Sequence, residues 1–134
     1  MLPALNRTIE QHISEYGVSA FIVGNYGEFD YLAASAVIAA KQRHPEIMLT
    51  RLIPYHPAER PVHVPTGFDG TFYPPGMEKV PRRYAIVRAN RYMVDHVDYF
   101  IAYAWHPASN AQKLVEYAKK QEARGNIIVT VLDK

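Results

Sequence analysis

Short apolar runs alternate with helix-periodic segments along almost the whole chain, and this alternation limits the fold more than any other feature. Ala20-Phe21-Ile22-Val23, Met48 to Ile53, Tyr99 to Ala104 and Ile127 to Leu132 read as strands apolar on both faces, as strands covered by two layers are. Residues 4–16 read as a helix, with Leu5, Ile9, Ile13 and Tyr16 on one stripe and Gly17 closing it. A second helix, from about Glu28 to His44, aligns Leu32, Ala33, Ala36, Val37 and Ala40. Its alanines permit close approach to a sheet, and His44-Pro45 ends it because the residue before proline is pushed out of the helical region. A third, from Pro81 to Val97, aligns Ile86, Ala89, Met93 and Val97. A fourth runs from about Asn110 to Arg124 and stops at Gly125.

The order αβαβαβαβ predicts an α/β fold: a mainly parallel sheet of about four to five strands with helices on both faces, a Rossmann-like three-layer sandwich. We expect strand order 2-1-3-4, with the switch point between the first and third strands. Ligands in such sheets sit outside the carboxyl ends of the strands at that switch. Gly24-Asn25-Tyr26-Gly27 and His106-Pro107-Ala108-Ser109-Asn110 are the segments expected to meet there. At 134 residues the chain fits a single domain, 1–134. One stretch breaks the alternation. From Pro54 to Pro81 neither period is visible and seven of the ten prolines occur. A long proline-rich excursion of this kind reads as a functional loop or lid.

Composition removes several classes of function. Without cysteine there is neither a disulfide nor thiolate chemistry. The histidines form no metal pattern: His56 and His63 lie seven apart in the excursion, and His106 precedes a proline, so no metal site is expected. A net charge of +2 without a long basic run argues against binding along a nucleic-acid backbone. No apolar stretch is long enough to span a bilayer, and Met1 to Asn6 lack the features of a secretory leader, so no membrane partner and a cytoplasmic location are expected.

Three segments could carry chemistry, each with a structural alternative. Gly24-Asn25-Tyr26-Gly27-Glu28-Phe29-Asp30 turns from a strand into a helix. Its glycines allow close backbone approach and its helix start offers N–H groups to an anion. It also serves as a tight turn with Asp30 complementing the helix dipole. Ser109 with Gln112 has the form of a capping box, or marks a phosphate-facing helix start with Glu116 one turn inside. Arg88 and Arg91, three apart, share a helix face and either hold a phosphate or carboxylate or form a solvated edge. Trp105, Tyr26, Tyr55 and Tyr73 could stack on a base or ribose, or line the core rim. The Gly-x-Ser-x-Gly elbow of a serine hydrolase is absent.

Taken together, Gly24 to Asp30, Leu52-Ile53-Pro54-Tyr55, Tyr73-Pro74-Pro75-Gly76-Met77-Glu78-Lys79-Val80-Pro81, Asn90-Arg91-Tyr92-Met93-Val94-Asp95 and Asp98-Tyr99-Phe100-Ile101-Ala102-Tyr103 resemble the SLOG superfamily, and within it the short bacterial YpsA-like branch. The resemblance covers about residues 17–131. It implies a Rossmann-like fold and a pocket for a nucleotide or its derivative, such as ADP-ribose, NAD or a nucleoside monophosphate, held as by a sensor or regulator. Gly24, Asn25, Tyr26, Gly27, Asp30, Tyr55, Arg88, Asn90, Arg91, His106, Ser109 and Asn110 are the expected ligand-binding residues.

The superfamily includes the LOG phosphoribohydrolases, which release a base from a nucleoside monophosphate. Their Gly-Gly-x-Gly-Thr-x-x-Glu motif falls on Ser109 to Glu116 here. Of its residues only Glu116 remains: Ser109, Asn110 and Gln112 replace the glycines and Lys113 the threonine. If the chain is an N-glycosidase, the resemblance implies Glu116 as acid/base and Arg91 as phosphate anchor, although the family's arginine could equally correspond to Arg88, since the register slips around Ala89. The altered loop favours a binding module. A third reading makes the pocket vestigial and gives the aromatic residues of 55–81 to a protein partner. A homodimer through helical faces is also implied by the resemblance.

Overall fold

Leu5 and Ile9 form the apolar stripe of the first helix, α1 (Leu2–Ser14), and both are buried as their spacing predicts. The third buried position is His12, not Ile13, which is half-buried, and Tyr16 lies beyond the helix end. The imidazole is tolerated inside because its Nδ1–H donates to the Thr8 carbonyl at 2.7 Å. Gly17, at φ +71°, turns the chain back so that the Val18 N–H reaches the His12 carbonyl at 2.9 Å. In this computed structural model residues 2–24, 27–61, 63–103 and 110–132 are described. They belong to two units, 1–73 and 74–134.

In the first unit α1 packs on α2 (Glu28–Lys41), which covers the strands β1 (Ala20–Val23) and β2 (Met48–Leu52). Ala34, Ala36, Val37 and Ala40 are the buried face of α2; Leu32 and Ala33, expected on it, are only half-buried. Small side chains let the helix backbone approach the sheet, and Ile47, Leu49, Leu52 and Ile53 supply the bulk from the strand side. The helix stops at Lys41, three residues short of the expected end.

Glu10 ties the helices together. It accepts hydrogen bonds from Ser14 Oγ (2.9 Å), Arg43 Nε (3.0 Å) and His44 Nε2 (2.6 Å). The Ser14 hydroxyl, followed by Arg43 and His44, holds the Glu10 carboxyl below its ordinary value of 4.5. A depressed carboxylate contributes stability above its unfolded pKa and loses it as pH falls through the folded value. Wild type should therefore lose thermal stability below pH 4.5, and Glu10→Gln should be less stable at neutral pH with a flatter acid limb. Parallel acid limbs for the two proteins in a pH series of melting curves would reject this linkage.

β1, β2 and β3 (Gly70–Phe72) form one parallel sheet in that order, with Ala20 opposite Met48, Val23 opposite Arg51, and Leu52 opposite Phe72. This corrects two expectations. The 54–81 excursion is not without regular structure, because Gly70-Thr71-Phe72 is a strand and Met77–Lys79 a 3₁₀ turn. Three residues are too few to show a period, so pairing with β2 makes that strand. Nor is β2 an edge strand as the order 2-1-3-4 requires, since β3 occupies its outer side.

Asp69 explains why the chain returns to β2. Its N–H donates to the Leu49 carbonyl (2.7 Å), and its carboxylate accepts from the Leu49 N–H (2.8 Å) and Lys41 Nζ (2.6 Å). The Lys41 hydrogen bond, with that from Leu49, holds the carboxyl below its ordinary value. Arg51 pins the preceding loop, donating from Nη1 to the His63 carbonyl at 2.9 Å with its guanidinium 4.7 Å from the Phe68 ring centroid.

In the second unit a 3₁₀ turn at Arg82–Tyr84 leads into α3 (Ala85–His96), then β4 (Tyr99–Tyr103), α4 (Asn110–Ala123) and β5 (Ile128–Leu132). β4 and β5 are parallel, Tyr99 opposite Ile128 and Tyr103 opposite Leu132, so β4–α4–β5 is a βαβ unit. Val94, Ala118 and Ile127 form the buried centre, packed by Val97, Phe100, Leu114, Tyr117 and Val129. On α3 the buried face is Ala85, Ala89 and Val94, one position away from the expected Met93. Glu122 of α4 accepts from the Val129 N–H at 2.7 Å and fastens helix to strand.

The chain is thus α/β with parallel pairing, in two small sheets of three and two strands. The expected neighbour relation between the strands at 20–23 and 99–103 is not among the ladders formed by the described residues. No helix among those residues is long and apolar enough to cross a membrane.

Candidate functional site

The carboxyl ends of β1, β2 and β3 open onto one edge of the first unit, because all three strands run in the same direction. Adjacent strands lie about 4.8 Å apart, so the three exits fall within about 10 Å, the scale of a nucleoside. Gly24 leaves β1 there, Tyr55 and His56 follow β2, and Tyr73 follows β3.

At Gly24 the requirement for glycine is local. A Cβ on Gly24 would stand 3.0 Å from Asp30 Oδ2, so the Asp30 carboxylate already occupies the space a side chain would need. Gly27 caps α2 in an extended conformation without a side-chain hydrogen bond, and nothing lies within 4 Å of a Cβ placed there. Glu28 and Asp30 in the first turn of α2 complement its dipole themselves. A phosphate docking on this helix start would face two carboxylates. The arrangement suits donors such as ribose hydroxyls better than a bare anion. Asn25 and Tyr26 lie outside the described residues.

Cationic groups come from the turn after β2. The N–H groups of Glu59 and Arg60 donate to the His56 carbonyl at 2.9 and 3.0 Å, winding the chain into one tight turn. That turn sets the Arg60 guanidinium 4.3 Å from the centroid of the Tyr55 ring. His56 Nδ1 accepts from the Ala58 N–H at 3.0 Å, so its proton sits on Nε2 in the neutral ring. The same imidazole meets Tyr73 edge-on, with ring centroids 5.5 Å apart. The sequence leads one to expect that Tyr55 offers a ring face to a base; Arg60 covers one face, and a ligand plane would instead meet the guanidinium. Arg60 escapes a reading by motif because only the turn's backbone bonds bring it back over Tyr55. Its four-residue spacing from His56 is the one trace of this in the sequence.

The remaining candidates belong to the second unit. Arg88 and Arg91 are both exposed on α3, and Asn90 is half-buried. Arg91 sits 5.0 Å from the Tyr117 ring centroid, and the Tyr117 hydroxyl donates to Asp95 Oδ1 at 2.7 Å. Asp95 beside the phenol pushes Tyr117 above its ordinary value, chiefly through that hydrogen bond. Arg91 therefore takes part in a tie between α3 and α4, a structural role that spacing alone does not reveal. Glu116 is exposed on α4. Asn110 begins α4, while His106 and Ser109 lie outside the described residues, as does the expected capping box at its Ser109 end. Among the described residues no group of three or more His, Asp or Glu could hold a metal ion.

No protein-family model matches the chain, and no curated protein matches it in sequence.

Proposed function

We propose that this chain is a nucleotide-derivative-binding domain of the Rossmann-like, SLOG type, with the carboxyl edge of β1–β2–β3 as a principal part of its ligand site. The observation that carries the reading is the convergence at that edge of a glycine turn, a carboxylate and a cation stacked on an aromatic ring. Asp30 accepts from ribose hydroxyls; Arg60 and the Nε2–H of His56 meet the ligand's negative charge. This division fits a nucleoside whose phosphate lies away from the start of α2, as in ADP-ribose or NAD. The motif resemblance along residues 17–131 supports the same ligand class. Binding rather than cleavage is favoured because Ser109, Asn110 and Gln112 stand where a phosphoribohydrolase has glycines.

The test is a thermal-shift series with AMP, ADP-ribose, NAD and nucleoside monophosphates, followed by chromatography of each mixture. A ligand at about a hundred times its dissociation constant adds roughly 2.7 kcal/mol and raises the melting temperature visibly. Arg60→Ala should weaken binding about tenfold or more, since hydrogen bonds to charged groups contribute about 1.5–3 kcal/mol. No shift with any compound would sink the reading. Stabilisation accompanied by released base would replace it with the N-glycosidase reading.

A further inference from the structure

The chain's modest overall charge conceals a strong local one. Residues 79–91 contain Lys79, Arg82, Arg83, Arg88 and Arg91 and no Asp or Glu, while the whole chain nets +2. All five cations are exposed. Between them Tyr84 is 51% and Val87 42% exposed, large for an aromatic and a branched aliphatic side chain. Tyr84, Val87, Arg88 and Arg91 recur at three- and four-residue spacing, so they share one face from the start of α3 onward. The opposite face, Ala85 and Ala89, is the buried one. The Arg83 guanidinium lies 4.9 Å from the Tyr84 ring centroid. Among the described residues Lys79, Arg83, Arg88 and Arg91 have no carboxylate partner.

We propose that this face, the apolar pair Tyr84 and Val87 beside Arg88 and Arg91 with Arg83 over the Tyr84 ring, docks a short acidic segment of a partner protein that carries large apolar side chains. Charge complementarity selects an anionic partner. Extent excludes a single phosphate, since Tyr84 to Arg91 alone covers about 10 Å of helix. The apolar pair distinguishes between polymers. Surfaces for single-stranded nucleic acid offer successive aromatic platforms, whereas here one ring, partly covered by Arg83, is followed by an aliphatic side chain. Val87 and Tyr84 are matched by leucine-like anchors, and the arginine forks by carboxylates. The proposal rests on residues 79–91 alone and does not draw on the nucleotide site proposed above.

The experiment is fluorescence anisotropy on the full chain with a labelled glutamate-rich peptide bearing two leucines four residues apart. Three competitors accompany it: the same peptide with serines for leucines, the same with lysines for glutamates, and oligothymidylate. The leucine–glutamate peptide should bind best, and more weakly as salt rises. Arg83→Glu should weaken it about tenfold or more, equivalent to about 1.4 kcal/mol. Val87→Ser should erase the preference for leucine over serine. Melting curves check the fold, and Arg88→Glu replaces Arg83→Glu if the latter lowers the melting temperature. Absence of binding, affinity unaltered by either charge reversal, or tighter binding of oligothymidylate would each overturn the proposal.

Discussion

Gly67→Ala should destabilise the protein by about 2–5 kcal/mol, from backbone strain of about 1–2 kcal/mol together with overpacking of about 1–3 kcal/mol. Gly67 has φ +103°, a conformation that side chains rarely adopt. A Cβ there would also stand 2.8 Å from Ile38 Cδ1 and 2.9 Å from its Cγ1. Relief by backbone movement is restricted, because the Gly67 carbonyl accepts from Lys41 Nζ at 3.0 Å and Asp69 is bonded to Leu49. Gly76→Ala is the control. Gly76 has φ +82°, but a Cβ added to it would meet nothing within 4 Å, so only the strain of about 1–2 kcal/mol applies. Urea denaturation of both variants separates the contributions. In an Ile38→Ala background the cost of Gly67→Ala should fall, which a double-mutant cycle reads as coupling. Equal costs for Gly67→Ala and Gly76→Ala would show that contact with Ile38 contributes nothing.

The second large effect is expected at Leu49→Ala, with a loss of about 2–5 kcal/mol for a fully buried leucine. Leu49 is 0% exposed on β2, the central strand of its sheet. Both its backbone groups remain bonded to Asp69 after truncation, so the loss reports packing rather than the ladder. Domains of this size are stable by only about 5–15 kcal/mol, which makes the substitution a threat to folding. Its neighbour Met48 is 50% exposed, and Met48→Ala should change stability by no more than about 0.5 kcal/mol. Denaturant midpoints for the pair test the register directly. A one-residue slip of β2 would exchange the faces of these two side chains and reverse the order of the effects.

The candidate site is only partly legible in the sequence. Gly24 and Asp30 stand out there as a turn, yet their mutual contact at the carboxyl end of β1 depends on how α2 folds back over that turn. Helical spacing pairs Arg88 with Arg91, and both are indeed exposed on one helix. The placement of Arg91 over Tyr117, far along the chain, cannot follow from spacing. Arg60 and His56 carry no ligand signal of their own because neither belongs to a periodic element. The basic face of α3 is diluted in the sequence by intervening apolar residues, and the helix gathers what the chain order separates.

The amino-acid sequence determined the helices and the four longer strands, because each carries its own signal: apolar spacing or a continuous apolar run, a glycine or proline at its end, and enough length to be read. It thereby determined the α/β class as well. Tertiary structure alone decided that Gly70–Phe72 is a strand, that β2 rather than β1 is central in its sheet, and that His12 rather than Ile13 is buried. These depend on partners distant in sequence. Asp69 must find the backbone of Leu49, and Gly67 must fit against Ile38; such contacts leave no periodic trace in the segment that makes them.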